Sequence, residues 1–233
     1  MTIERPDISL SGRKGIYQAF DANGNVVADE RWRSKAMLGG GLRIDTETVR
    51  IAPFVEARNE SISFELAPDL TPRRLIINAQ SGRRESRIDI SPGRADVCWR
   101  CDDLSRTREF LWAEDCEIGY NSALFSMVAL WRRALAPGES ATVRLLRLDD
   151  VSFEPLWVQS TVIRLGQERH DTRFGAMDLA HYRVSDSGQA EGSSHRSRRD
   201  SCCDWWCDQT GVIFDFVASN GSGYKLVAVN FTG

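Results

Sequence analysis

A chain of 233 residues with 42% hydrophobic, 27% charged and 9% aromatic residues has the composition of a globular protein, not of a disordered one. Its net charge of −3 supplies no global basic field, which argues against nucleic acid as a partner. No stretch approaches the roughly 18–20 apolar residues of a membrane span. Glu4, Arg5, Pro6 and Asp7 interrupt the start of the chain where a secretory signal would be apolar, so a cytoplasmic location is expected.

Short extended runs separated by turn signals dominate. Gly15–Phe20 and Val26–Met37 flank Asp21-Ala22-Asn23-Gly24-Asn25, and Asn-Gly favours the positive φ of a tight hairpin. Leu42, Ile44, Thr46 and Thr48 alternate with Arg43, Asp45 and Glu47, the period of a half-buried strand. Gly39-Gly40-Gly41 reads as a flexible turn. Further runs lie at Ser61–Leu66, Arg74–Ala79, Glu85–Ile90, Ala95–Arg100 and Arg108–Ala113.

One segment differs. In Asn121–Leu135 the apolar residues Leu124, Phe125, Val128, Leu130, Trp131 and Leu135 recur at spacings of three and four, which predicts an amphipathic helix. Asn121 or Ser122 can cap its start, Pro137-Gly138 stops it, and Arg132 and Arg133 complement its dipole. Strand-like runs then resume at Thr142–Leu148, Leu156–Leu165, Arg169–Phe174, Leu179–Val184, Gly211–Val217 and Tyr224–Phe231. Gly166-Gln167 and Asn220-Gly221-Ser222-Gly223 read as hairpin turns. The polar, Ser/Gly-rich stretch 185–201, with His195, is expected to be a mobile loop.

Many consecutive strands with one central helix imply a mainly β protein, a single domain over residues 1–233. Its sheet is a curled antiparallel meander, a half-barrel or lipocalin-like barrel, because a sheet this long must curl or close to hide its edges. A concave face of this kind suits an apolar small molecule.

Tyr182-Arg183-Val184 is followed by a polar stretch and then by Trp206-Cys207-Asp208-Gln209-Thr210-Gly211-Val212, Phe214, Phe216, Asn220-Gly221 and Leu226. This C-terminal pattern resembles the half-barrel lipoprotein-carrier proteins. The resemblance implies an unclosed antiparallel sheet that curls over a helix and encloses an apolar cavity. Relatives of that shape in bacterial secondary metabolism act on hydrophobic intermediates.

The chemistry-bearing residues leave several readings open. Cys98-Trp99-Arg100-Cys101 and the Cys202/Cys203/Cys207 cluster could hold zinc, form a redox pair, or be inert thiols. No nucleophile elbow, phosphate loop or HExxH pattern is present, so no cofactor is expected. Candidate acid–base residues are Glu109 and Glu154, which neighbour aromatics, and the strand residues His181, Tyr182 and Arg183. Trp99, Trp112, Trp131, Trp157 and Phe125 are candidate walls of a ligand cavity. Most arginines, Arg43, Arg87, Arg144, Arg147 and Arg164 among them, alternate with apolar residues and read as a solvent face. An arginine inside the cavity would instead clamp a carboxylate. These readings point to a binder of a hydrophobic small molecule that turns over a biosynthetic intermediate as a cofactor-independent cyclase, isomerase or lyase. A non-catalytic carrier of the same shape and a zinc-stabilised interaction module are the alternatives.

Overall fold

The computed structural model of the protein describes residues 11–51, 58–79, 83–150, 152–191 and 202–231. The first eight strands are β1 (Arg13–Phe20), β2 (Val26–Ala36), β3 (Leu42–Arg50), β4 (Arg58–Leu66), β5 (Pro72–Ala79), β6 (Arg84–Ser91), β7 (Arg94–Cys101) and β8 (Leu104–Leu111). A short strand β9 (Cys116–Gly119) precedes the helix α1 (Ala123–Arg132). After it come β10 (Ser140–Leu148), β11 (Pro155–Thr172), β12 (Gly175–Glu191), β13 (Cys202–Cys207), β14 (Ile213–Ala218) and β15 (Gly223–Phe231).

All the strands form one sheet, in the order β8-β7-β6-β5-β4-β3-β2-β1-β15-β14-β13-β12-β11-β10-β9. Each half is a meander of sequential neighbours, and the pairing of β1 with β15 joins the halves. The pairs are antiparallel except β9 with β10, which run parallel because the helix lies between them in the chain. The Asn-Gly hairpin forms as expected, with Gly24 at φ 81° and the Asp21 carboxylate accepting from the backbone N–H groups of Asn23 and Asn25.

The sheet wraps the helix. Ser122 caps α1 by accepting from the Leu124 N–H at 3.2 Å. The helix is shorter than the predicted 121–135, and eight of its ten residues are buried, where one apolar face had been expected. The reason is that the helix is contacted both by inner-face side chains of the first half of the sheet and by the β13–β14 connection of the second. Phe125 meets Phe64 of β4 at 5.3 Å, the Tyr17 hydroxyl of β1 lies 3.2 Å from Met127 Sδ, and Trp131 Nε1 donates to the Thr210 carbonyl at 3.0 Å. A helix enclosed in this way is apolar all round.

Three local expectations change. Gly166-Gln167 is not a turn: β11 runs through it, with a bulge between Arg164 and Gly166, and the hairpin reverses at 173–174 instead. Gly166 supplies the φ of 151° that the bulge adopts. The beginning of the stretch expected to be a loop is strand, because β12 pairs with β11 as far as Glu191. Residues 192–201, His195 included, lie outside the described residues. Cys116–Gly119 and Cys202–Cys207, not predicted as strands, pair with β10 and with β12 and β14.

Candidate functional site

Tyr17, Glu30 and Phe64 touch the helix or its cap and therefore mark the inner face of the sheet. Side chains alternate along a strand, so Ile16, Arg31 and Ser63 point to the other side. There, an open cavity of about 820 Å³ is lined from six adjacent strands, β15 through β5. Only a strongly bent and twisted sheet brings side chains from so many strands around one volume.

The strand register builds this cavity in three cross-strand rows. The first runs Ala228–Ile16–Arg31–Glu47–Ser61–Asn78. The second runs Asn230–Lys14–Arg33–Asp45–Ser63–Ile76, and the third Lys35–Arg43–Glu65–Arg74. The small side chains of Ser61 and Ser63 on β4 leave room in the first two rows. Ile16, Ile76 and Ala228 supply apolar wall.

Charge is unevenly matched in it. Six lining residues are cationic and three are acidic. Asp45 is shared by Arg43 at 2.7 Å, Lys35 at 3.6 Å and Arg33 at 3.7 Å. Partial burial pushes the Asp45 carboxyl up, but the Arg43 hydrogen bond and the three cations outweigh it and hold it below the usual carboxylate range. Glu65 lies 3.9 Å from Arg43, and Arg74 turns to Asp89 at 3.4 Å. Among the described residues, neither Lys14 nor Arg31 has a carboxylate within 4.0 Å.

None of the ten sequence-predicted site residues lines this cavity. Glu109 is exposed on β8 and paired with Arg94 at 3.1 Å, and Glu154 is exposed ahead of β11. His181 and Arg183 do come together, sharing Asp204 Oδ1 at 2.8 and 3.0 Å, while Tyr182 points to the other face and is buried. Trp99, Trp112, Trp131 and Phe125 are core side chains. Trp157 packs against that core, 6.4 Å from Trp112. These aromatics lie in or against the core that surrounds the helix.

Two further polar clusters assemble around residues of which the sequence singled out only a few, Ser122 and Asn121 as cap candidates and His181 as an acid–base candidate. At the start of α1, Ser122 donates to Glu30 at 2.9 Å, and Arg50 bridges Glu60 at 3.2 Å and the Asn121 carbonyl at 2.7 Å. Tyr120 donates to Glu60 at 3.1 Å, and Tyr224 donates to Asn121. Burial pushes the Glu30 carboxyl up to about 7, against the opposing pull of Ser122 and Arg50. This network ties the helix N-terminus to β2, β3, β4 and β15. The available signal was a carboxylate in phase with inward Ala28 and Trp32. At the other end of α1, Arg132 meets buried Glu117 at 2.6 Å.

The second cluster lies on the outer face of β11–β14. The Trp206 ring is stacked between two imidazoles, His170 at 4.3 Å and His181 at 4.7 Å, with interplanar angles of 13° and 17°. His170 Nε2 lies 3.0 Å from Asp215 on β14, and Phe174 meets Phe214 at 5.7 Å. His170 and Phe174 come from the far end of the β11–β12 hairpin. That arm therefore folds back over β13 and β14.

All six cysteines are free thiols. Burial pushes the Cys203 thiol up to about 12 and Cys207 higher still, which disfavours thiolate chemistry at both. Among the described residues, no group of three or more His, Cys, Asp or Glu side chains is arranged to hold a metal ion. Among the described residues, no helix is long and apolar enough to cross a membrane.

No protein-family model and no curated protein matches the chain. Solved structures do resemble it. A β-barrel-like protein of the domain of unknown function DUF1849 from Brucella abortus is 11% identical, with a TM-score of 0.63 over 96% of this chain and 99% of that one. A DUF1089 family protein from Pseudomonas aeruginosa is 16% identical, with a TM-score of 0.51 over 82% and 89%. The hypothetical lipoprotein YmcC from Escherichia coli, 10% identical over 95% and 90%, reaches a TM-score of only 0.35 and carries no argument. At these identities the likeness concerns the fold alone, and it is the fold the sequence led us to expect: one curled, barrel-like antiparallel sheet, with one helix among the described residues.

Proposed function

We propose that the protein binds a small organic molecule in the cavity lined by β15 and β1 through β5, and acts as its carrier. The cavity itself supports this reading most. Its volume of about 820 Å³ lies in the range of small-molecule sites. Its walls are paired strands, which hold side chains more rigidly than loops do. Its mixed lining suits a ligand with both polar and apolar parts better than the wholly hydrophobic one expected from the sequence.

A second reading keeps the acid–base turnover expected from the sequence. It is favoured by the His181–Asp204 contact of 2.8 Å, the pairing that orients a general base. That pair sits on β12 and β13 and not among the cavity residues, so the carrier reading leads.

Native mass spectrometry of the purified full chain tests it. A small-molecule adduct is expected on the wild type and should be lost from Ser61→Trp, which fills the room left by the small side chain in the first row. An adduct that survives in Ser61→Trp would place binding elsewhere and overturn the reading.

A further inference from the structure

We infer that the cavity selects an organic anion, a molecule with a carboxylate, phosphate or sulfonate group on a compact apolar body, and that Lys14 and Arg31 receive the anionic group. The inference rests on the cavity being a binding site at all.

The register places the two cations diagonally on neighbouring strands, since Ile16 is opposite Arg31 and Lys14 is opposite Arg33. Both side chains face the cavity and neither has a carboxylate within 4.0 Å among the described residues. The other four lining cations are engaged: Arg33, Lys35 and Arg43 converge on Asp45, and Arg74 on Asp89. The chain as a whole is acidic, with 33 acidic against 30 basic side chains. A local excess of three cations in its cavity therefore runs against the average of the molecule. Guanidinium and ammonium groups on one cavity wall with Ile16 and Ala228 match an anionic head on an apolar body. The arginine supplies a planar fork and the lysine a point charge.

Two fluorescent probes with one aromatic body separate charge from shape: 1-anilinonaphthalene-8-sulfonate and the uncharged N-phenyl-1-naphthylamine. Titrated into the full chain, the sulfonate is expected to bind about tenfold more tightly than the neutral probe. Its affinity should fall as salt is raised. Arg31→Gln and Lys14→Gln should each weaken the sulfonate about three- to tenfold and leave the neutral probe unchanged. Ser61→Trp should abolish binding of both.

If both probes bind alike and the two charge variants change nothing, selection by charge is wrong while the cavity remains a binding site. If neither probe binds the wild type, or if Ser61→Trp binds them as well as the wild type does, the binding reading fails with it.

Discussion

Phe110 and Trp157 meet edge to face with ring centroids 5.9 Å apart, although β8 is one edge of the sheet and β11 stands third from the other. Trp112 joins them at 6.4 Å from Trp157, whose ring also carries the Arg144 guanidinium at 4.6 Å. The sheet therefore closes around its helix by side chains. No hydrogen-bonded ladder joins β8 to β9 among the described residues. A seam of this kind hides apolar surface without completing a barrel.

The seam is expected to contribute as a pair. Phe110→Ala should cost about 3–5 kcal/mol, the range for emptying a buried aromatic site. A double-mutant cycle with Trp157→Ala, measured by urea unfolding, should return a coupling of about 1 kcal/mol. Strictly additive single effects would show that the two ends of the sheet are stabilised independently.

Glu30 makes stability depend on pH. Its carboxyl is raised from an ordinary value of 4.5 to about 7, chiefly by burial. Between those values the folded chain keeps the proton and the unfolded chain has lost it. The stabilisation is therefore complete below about 4.5 and declines as pH rises through 7, by about 3 kcal/mol in total. Denaturant unfolding should find the wild type more stable at pH 5 than at pH 8. Glu30→Gln, which keeps the shape and can still accept from Ser122, should flatten most of that slope. Glu117, raised in the same direction by burial against Arg132 and Arg133, leaves a residual slope of the same sign. An unchanged slope in Glu30→Gln would mean that the ionised carboxylate is already fully compensated by Arg50.

Gly15 is required by its neighbour. A Cβ there would come 2.6 Å from Trp32 Nε1 and 3.0 Å from the Ala228 carbonyl oxygen. Trp32 is buried and stacks on Tyr17 at 6.5 Å, so the indole cannot move freely away. Gly15→Ala is expected to cost about 1–3 kcal/mol by overpacking. Adding Trp32→Phe should recover part of the loss, because the smaller ring vacates the contact. Thermal unfolding of the single and double variants checks this, and a double variant no more stable than Gly15→Ala would move the strain to the Ala228 carbonyl.

Most of the sheet was legible because most of its strands carry their own period. Leu42, Ile44, Thr46 and Thr48 are all inward and buried, as their alternation with Arg43, Asp45 and Glu47 implies. The cavity was not legible for the same reason. Its residues occupy the outward phase, and Arg43 there reads as an ordinary solvent arginine until the bend of the sheet gathers six strands around it. Only the outward pair Ser61 and Ser63 hinted at space. The aromatics are a different case. Trp99, Trp112 and Phe125 lie in the core around the helix, and one sequence does not say whether enclosed space is filled. Gly166 was ambiguous because a turn and a bulge call on the same conformational freedom, and long-range pairing with β12 decided between them.

The folded-back arm should depend on His170. This residue combines two contacts that hold the β11–β12 tip down: its ring stacks on Trp206, and its Nε2 reaches buried Asp215 at 3.0 Å. His181 stacks on the opposite face of the same indole, but it sits directly opposite Trp206 in the ladder and needs no folding-back to do so. The two histidines are therefore separable. His170→Ala should free the tip, and trypsin cleavage after exposed Arg173 should quicken about tenfold, corresponding to a loss of about 1.4 kcal/mol of local stability. His181→Ala should leave that cleavage rate near the wild-type value. In both variants Trp206 loses one stacked face, so acrylamide quenching of its emission should increase in each. Cleavage that quickens equally in both would assign the latch to Trp206 burial. No change in His170→Ala would assign it to the Phe174–Phe214 contact, which Phe174→Ala would then release.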